Sequence, residues 1–143
     1  MSDNILVIPK VSIIIPIYNT APFLRETLDS ICNQSLKELD IILINDGSTD
    51  ESPDIIEEYA LRDHRIRYMT QPNQGQSVAR NNGLQLATGK YIYFMDSDDK
   101  LDTDALKECY NICEKDKLDF VFFDATVISA PVSYTHLRAH ETK

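Results

Sequence analysis

An apolar run, Tyr91-Ile92-Tyr93-Phe94-Met95, passes directly into Asp96-Ser97-Asp98-Asp99, so three carboxylates stand at the end of one short segment. Like charges held close together raise one another's pKa and call for screening or a cation. A hard divalent ion with oxygen ligands is the natural partner. Mg²⁺ or Mn²⁺ held by one or two carboxylates keeps coordination positions open, and a diphosphate can fill them while the metal offsets its charge. The alternative is a solvated loop capping the next helix, with Asp102 and Asp104 extending an acidic surface. A calcium loop of the EF-hand kind does not fit. Counted from Asp96, the sixth residue is Leu101, where glycine is required, and the twelfth is Lys107, where glutamate should be bidentate. Counted from Asp98, the same positions hold Thr103 and Cys109.

Other polar residues follow apolar runs in the same way. Residues 41–44 lead into Asn45-Asp46-Gly47-Ser48-Thr49-Asp50, a turn that aims an acceptor beyond a strand end. Asp46 can take a hydrogen bond from a base N–H, or it can serve with Ser48 and Asp50 only as a turn and cap residue. The first run ends in Ile15-Pro16-Ile17-Tyr18-Asn19, where Tyr18 offers a flat face for a stacked base, or is an ordinary core tyrosine. Residues 73–83 lead from a loop into a helix whose N-terminus favours negative charge. Arg80 is the phosphate partner there, unless it only decorates a solvated helix face.

The elements that must position these groups follow from periodicity. Apolar runs at 11–15, 40–44, 66–69, 91–95 and 120–123 read as strands, several of them buried on both faces. Leu24, Leu28 and Ile31 share a helix face after Thr20, and Ile55, Ile56, Tyr59 and Ala60 follow a Ser52 cap with Pro53 at the first helical position. A third helix fits 76–88, where Ala79, Gly83 and Ala87 form a smooth strip suited to close approach to a sheet. A fourth fits 104–115, capped by Asp102 or Thr103, with Leu106, Cys109, Tyr110 and Cys113 inward. Strict alternation of strand and helix predicts an α/β layered, mostly parallel sheet flanked by helices. Such sheets bind ligands outside the carboxyl ends of their strands, where the polar residues above fall.

A chain of 143 residues with 43% hydrophobic content is long and apolar enough for one domain with its own core. Its formal charge of -9 disfavours a nucleic-acid surface, which needs basic residues against phosphate. Cys32, Cys109 and Cys113 contain no C-x-x-C pair and read as reduced thiols. No apolar run is long enough to span a bilayer and no signal peptide opens the chain, so the expected location is cytoplasmic, with the inner face of the membrane open to the intact protein. The segment 131–143 breaks the rhythm and resembles translated adapter or vector sequence. It is left out of the fold reading, and the helical spacing of His136 and His140 is given no metal role.

Four motifs in order carry a family resemblance: Val-Ser-Ile-Ile-Ile-Pro-Ile-Tyr-Asn at 11–19, Asn-Asp-Gly-Ser-Thr-Asp at 45–50, Asn-Gln-Gly-Gln-Ser-Val-Ala-Arg-Asn-Asn-Gly at 73–83, and Gly89 through Asp96-Ser97-Asp98-Asp99. Over about residues 9–128 the chain resembles the family 2 glycosyltransferases of the GT-A fold, a Rossmann-like nucleotide-diphospho-sugar transferase architecture. The resemblance implies that residues 1–130 are the nucleotide-sugar-binding part of a truncated, hexosyltransferase-type domain of polysaccharide biosynthesis. It implies a donor cradle of Pro16, Tyr18 and Asp46 around a base, usually uracil, with Asp96 near ribose and sugar, Arg80 near the diphosphate, and Asp98 as ligand to Mn²⁺ or Mg²⁺. The implied reaction is inverting transfer from a nucleoside diphosphate donor, a UDP-sugar above others, to a hydroxyl of a glycan or lipid-linked acceptor. The family's catalytic base is an Asp or Glu from a later part of the domain, and no residue here is nominated for it.

A nucleotide-sugar binding module without transfer activity is the rival reading. A phosphatase of the haloacid dehalogenase type also places D-x-D after an apolar strand, but near the N-terminus, whereas this pair lies at 96 and 98 with Lys100 following. Nucleotidyl transfer to a sugar phosphate normally begins with a Gly-rich basic loop, and Pro16-Ile17-Tyr18-Asn19 holds neither Gly nor Arg.

Overall fold

The computed structural model describes residues 8–124 and 138–142. Along the chain the elements are β1 (Val11–Ile17), α1 (Ala21–Cys32), β2 (Leu39–Asp46), α2 (Ser52–Arg62), β3 (Ile66–Gln71), α3 (Gln76–Leu86), β4 (Tyr91–Phe94), α4 (Ala105–Asp116), β5 (Phe120–Asp124) and β6 (Arg138–Thr142). They fall into two compact units, one taking β1 through Asn19 with Glu38–Asp96, the other Thr20–Lys37 with the chain from Ser97 onward.

The first unit is a four-stranded sheet in the order β3-β2-β1-β4, parallel throughout. Every residue of β1 and β2 is buried, as near-continuous runs of Ile and Leu require in the centre of a parallel sheet. Of the outer strands, β3 buries only its two end residues, Ile66 and Gln71, and β4 alternates half-buried with exposed positions. Helix α2 packs on β2 and β3, and α3 on β1 and β2. The strip expected on α3 does lie against the sheet: Ala79 is fully buried with Ile14, Ile42 and Ile44, and Ala87 joins the edge of that cluster just past the helix end. A Cβ on Gly83 would overlap Cγ2 of Ile14, so glycine there sets how near α3 comes to β1.

A polar bracket closes the amino-terminal edge of this sheet. Asp40, only 5% exposed, accepts hydrogen bonds from Ser12 Oγ at 2.8 Å and from the Arg67 guanidinium at 2.9 Å. The Thr88 backbone N–H and hydroxyl each donate to it as well, at 3.0 Å. Ser12 Oγ in turn accepts from Gly89 N–H at 2.8 Å. A buried carboxylate is tolerated when paired and fully hydrogen-bonded, and here its donors come from β1, β3 and the turn before β4. The bracket therefore fixes where β4 begins.

In the second unit, α1 and α4 are joined by a two-stranded antiparallel pair of β5 and β6. Two expectations are corrected here. The fifth strand forms, but pairs with β6 and not with the four-stranded sheet. And Arg138–Thr142, inside the segment set aside above, is a strand. Its residues show no apolar alternation, and backbone pairing, which leaves no mark on composition, defines it. Residues 131–137 and 143, His136 among them, lie outside the described residues.

Helix starts also differ from expectation. Ser52 is the first residue of α2 and not its cap, and its N–H donates to Asp50 Oδ1 at 2.8 Å. The N-cap of α4 is Asp104, in place of Asp102 or Thr103, and its side chain makes no capping bond. Instead Leu106 N–H is satisfied by Gln34 Oε1 at 3.2 Å, two residues past the end of α1. Cys32, Cys109 and Cys113 are free thiols, and burial pushes Cys109 up to about 12. Among the described residues, no helix is long and apolar enough to cross a membrane.

A Cβ on Gly89 would stand 2.5 Å from the backbone N of Ser12 and 2.7 Å from Val11 C, in a strand that cannot yield. Gly89→Ala is expected to lower stability by about 1–3 kcal/mol in urea unfolding. An unchanged midpoint would show that β4 does not begin against β1 as described.

Candidate functional site

The strand order itself marks a crevice. From β1 the chain builds outward through β2 and β3, then returns to place β4 on the other side of β1. Ligands of open α/β sheets bind outside the carboxyl ends of the strands at this reversal.

Local chemistry opens the gap. Pairing of β1 with β4 stops at Ile14 and Phe94, while pairing with β2 runs on to Ile17 and Asn45. Tyr91 N–H donates to Lys10 O at 3.0 Å and Met95 N–H to Ile14 O at 3.0 Å, so alternate residues 10, 12 and 14 face β4. Pro16 is next in that series, and its nitrogen carries no hydrogen to continue the ladder. The two strands part at this point. Pro16 itself is buried, whereas Tyr18, beyond the end of β1, is 48% exposed, which removes the core-tyrosine alternative.

Asn19 adopts φ 51°, the left-handed conformation that asparagine tolerates best among non-glycine residues. Its side-chain oxygen accepts from Thr49 N–H at 2.7 Å and Asp50 N–H at 3.2 Å, and its own N–H donates to Ser48 Oγ at 3.1 Å. The loop after β2 is thereby tied to the end of β1. Sequence reasoning missed this residue, although an Asn closing a strand beside a hydroxyl-rich turn is a recognisable signal.

Asp46 ends β2 and is 4% exposed. Its Oδ1 accepts from Gln71 Nε2 at 2.9 Å and Gln74 N–H at 2.7 Å, and Oδ2 accepts from Gly75 N–H at 3.0 Å. Gln71 is oriented in turn by Asn82 Nδ2 at 2.6 Å. Burial drives the carboxyl pKa up, but the hydrogen bonds from Gln74, Gln71 and Gly75 outweigh it, leaving Asp46 below the ordinary carboxylate range. Asp46 thus anchors the loop that leads into α3. A carboxylate offers about four acceptor positions, so one, on Oδ2, is left for another donor. Gln71 and Asn82 were not foreseen; the available signal was a pair of amides at the end of a strand and on the helix after it.

Arg80, on α3, lies 3.4 Å from Asp96 Oδ1 and 3.2 Å from Gln76 Oε1, and its Nε is buried without a hydrogen-bond partner. The structure thus brings Arg80 to Asp96. Among the described residues, neither is bonded to Asp46. In the tetrapeptide after Met95, the exposed carboxylates of Asp96, Asp98 and Asp99 offer oxygens within 4.8 Å of one another, and Ser97 between them is 6% exposed. Proximity within four consecutive residues is set by the local chain alone. An exposed all-oxygen donor set of this kind suits Mg²⁺ or Mn²⁺.

The hydrogen bonds around Asp46 predict a pH signature. A depressed folded-state pKa contributes stability that is present above the ordinary carboxylate value and is lost as pH falls through the folded value. Asp46→Asn is expected to cost about 1–3 kcal/mol near neutral pH. In thermal unfolding, the gap to the parent should narrow as pH falls below the ordinary carboxylate range. A gap independent of pH would remove the charge from this account.

Comparison with known proteins agrees with this geometry. The model of glycosyl transferase family 2 matches residues 12–141. The uncharacterized glycosyltransferase EpsJ of Bacillus subtilis is 46% identical over 114 residues, covering 80% of this chain and 33% of its own length. Chondroitin synthase of Pasteurella multocida is 41% identical over 110 residues, 77% of this chain and 11% of that protein. The chain thus spans a third or less of the length of these relatives. Among solved structures, S. aureus TarS 1–349 in complex with UDP-GlcNAc superposes with a TM-score of 0.71 at 28% identity, covering 84% of this chain and 34% of that one. The mannosyltransferase PcManGT from Pyrobaculum calidifontis in complex with GDP-Man and Mn²⁺ gives a TM-score of 0.61 at 29% identity, over 64% of this chain and 28% of that one. The parallel sheet flanked by helices is that of the GT-A glycosyltransferases, and with the family model matching residues 12–141, this chain belongs to glycosyl transferase family 2.

Proposed function

We propose that this chain is the donor-binding part of a metal-dependent glycosyltransferase that moves a sugar from a nucleoside diphosphate, a UDP-sugar first of all, to an acceptor hydroxyl with inversion. The observation that carries the reading is the acidic tetrapeptide following β4 at the strand-order reversal, with Arg80 beside its first carboxylate. UDP-GlcNAc in TarS supports the donor class, and GDP-Man with Mn²⁺ in PcManGT supports a divalent ion.

Asp98, with Asp96 close by, would hold Mn²⁺ or Mg²⁺, and the ion would offset the charge of the departing nucleoside diphosphate. The chain's own groups bind and orient the donor. Arg80 presents a cation to the diphosphate while keeping Asp96 as its resting partner. Tyr18 offers its exposed face to the base, with Pro16 as the buried floor behind it, and the open acceptor position of Asp46 takes a base N–H. Asp96 serves the ribose and sugar. The acceptor, a glycan or lipid-linked hydroxyl, and the general base are assigned to no residue of this chain. A cytoplasmic setting, at the membrane's inner face in the intact protein, belongs to the same reading and accords with the free cysteines.

A second reading is donor binding without transfer. Calorimetric titration of UDP in Mn²⁺ beside an assay for UDP release from a UDP-sugar separates the two.

Asp98→Ala is expected to abolish metal-dependent UDP binding with unfolding unchanged, and unaltered affinity in Mn²⁺ would refute the metal assignment. Asp46→Ala should weaken uridine as well as UDP while sparing Mn²⁺; equal loss for UDP and inorganic diphosphate would exclude base recognition. The reading further assigns donor binding to residues 1–130 and treats 131–143 as appended sequence, so a chain ending at Ala130 should bind UDP with unchanged affinity. Weakened binding would make β6 part of the donor-binding domain.

A further inference from the structure

Helix α1 and the residues just past it carry a polar stripe that none of the chemistry above uses. Thr27 and Ser30 on the helix, and Gln34 two residues beyond its end, turn toward the backbone of the 97–106 segment within the second unit. Thr27 and Gln34 are fully buried. The Thr27 hydroxyl donates to Ser97 O at 2.9 Å, shared with its own helix at Phe23 O, 3.2 Å. Ser30 Oγ accepts from Leu101 N–H at 3.2 Å. Gln34 Nε2 donates to Asp102 O at 2.6 Å, and Gln34 Oε1 accepts from Leu106 N–H at 3.2 Å.

Each contact is from a side chain of the α1 stripe to main chain of the segment. The side chains of Asp98 and Asp99 stay exposed, while the backbone that aims them is held at Ser97 and Leu101 on either side. Held backbone beneath exposed carboxylates is what a preorganised cation loop requires, since ligand groups bind best when their orientation is fixed by neighbours that are not ligands themselves.

We propose that this stripe, and Thr27 above all, is the positioning element of the acidic loop: the Thr27 hydroxyl fixes the Ser97 carbonyl and with it the direction of Asp98. The inference rests on the donor-site reading, because it presumes that Asp98 meets a divalent ion.

The test is Mn²⁺ titration of the whole chain in the presence of UDP, alongside thermal unfolding. Thr27→Val keeps the shape and removes the hydroxyl, and it should weaken Mn²⁺ binding on the order of tenfold, as loss of an orienting partner typically does. Thr27→Ser restores the hydroxyl and should restore the affinity. Ile55→Val, a core change in the other unit, should lower stability and leave the affinity at the parent value. If the parent binds Mn²⁺ and Thr27→Val binds equally well, or if Ile55→Val weakens binding as much, the positioning role is overturned and the donor site stands. If the parent binds no Mn²⁺, the donor-site reading fails and takes this inference with it. Should Thr27→Val not fold, Ser30→Ala decides: weaker Mn²⁺ binding supports the stripe, and unchanged binding overturns it.

Discussion

Beyond Ile14, strand β1 stays paired on its β2 side and, among the described residues, is unpaired on its β4 side, because Pro16 stands where the next donor toward β4 would be. One missing N–H therefore decides where the sheet opens. Proline is normally excluded from central strands, and its tolerance here follows from facing the side on which pairing has already ended. The opening coincides with the reversal of strand order, where an open parallel sheet has room for a ligand. From there, Tyr18 and Asn19 follow one strand and Asp96 follows the other.

Around this opening the polar groups divide into buried ones that build and exposed ones that face solvent. Asp40 and Asp46 are both buried and surrounded by donors, one at each edge of the sheet. The first fixes the start of β4, and the second fixes the loop entering α3, which carries Arg80. Asp96, Asp98 and Asp99 differ in kind, being exposed carboxylates on a backbone held by other residues. A buried carboxylate held by several N–H groups makes structure, with one acceptor position still open on Asp46, and an exposed carboxylate can meet a cation.

Much of this was legible in the sequence. The strands β1 and β2 are near-continuous apolar runs and are buried throughout, and the Ala79, Gly83, Ala87 strip lies against the sheet as its spacing required. The acidic tetrapeptide and Arg80 were visible as residue types following an apolar run or entering a helix. Their pairing needed the fold, because residues 80 and 96 are brought together only by the turn from α3 into β4. The role of Asp46 as loop anchor depended on Gln71 and Asn82, amides that no periodicity singles out. The acceptor for Leu106 N–H in the first turn of α4 was missed because it comes from Gln34, 72 positions away. Pairing of β5 with β6 was missed because main-chain hydrogen bonds are blind to the side chains that sequence patterns report.

The central claim is that a divalent ion belongs to the carboxylates following β4 and not to this acidic chain at large. Paramagnetic broadening by Mn²⁺ at a small fraction of the protein concentration, read amide by amide in the presence of UDP, examines it directly. The account predicts that the amides of Asp96, Ser97, Asp98 and Asp99 broaden first, while those of Glu57, Glu58 and Asp116 persist. Broadening spread evenly over the acidic surface, or beginning at those three, would contradict it.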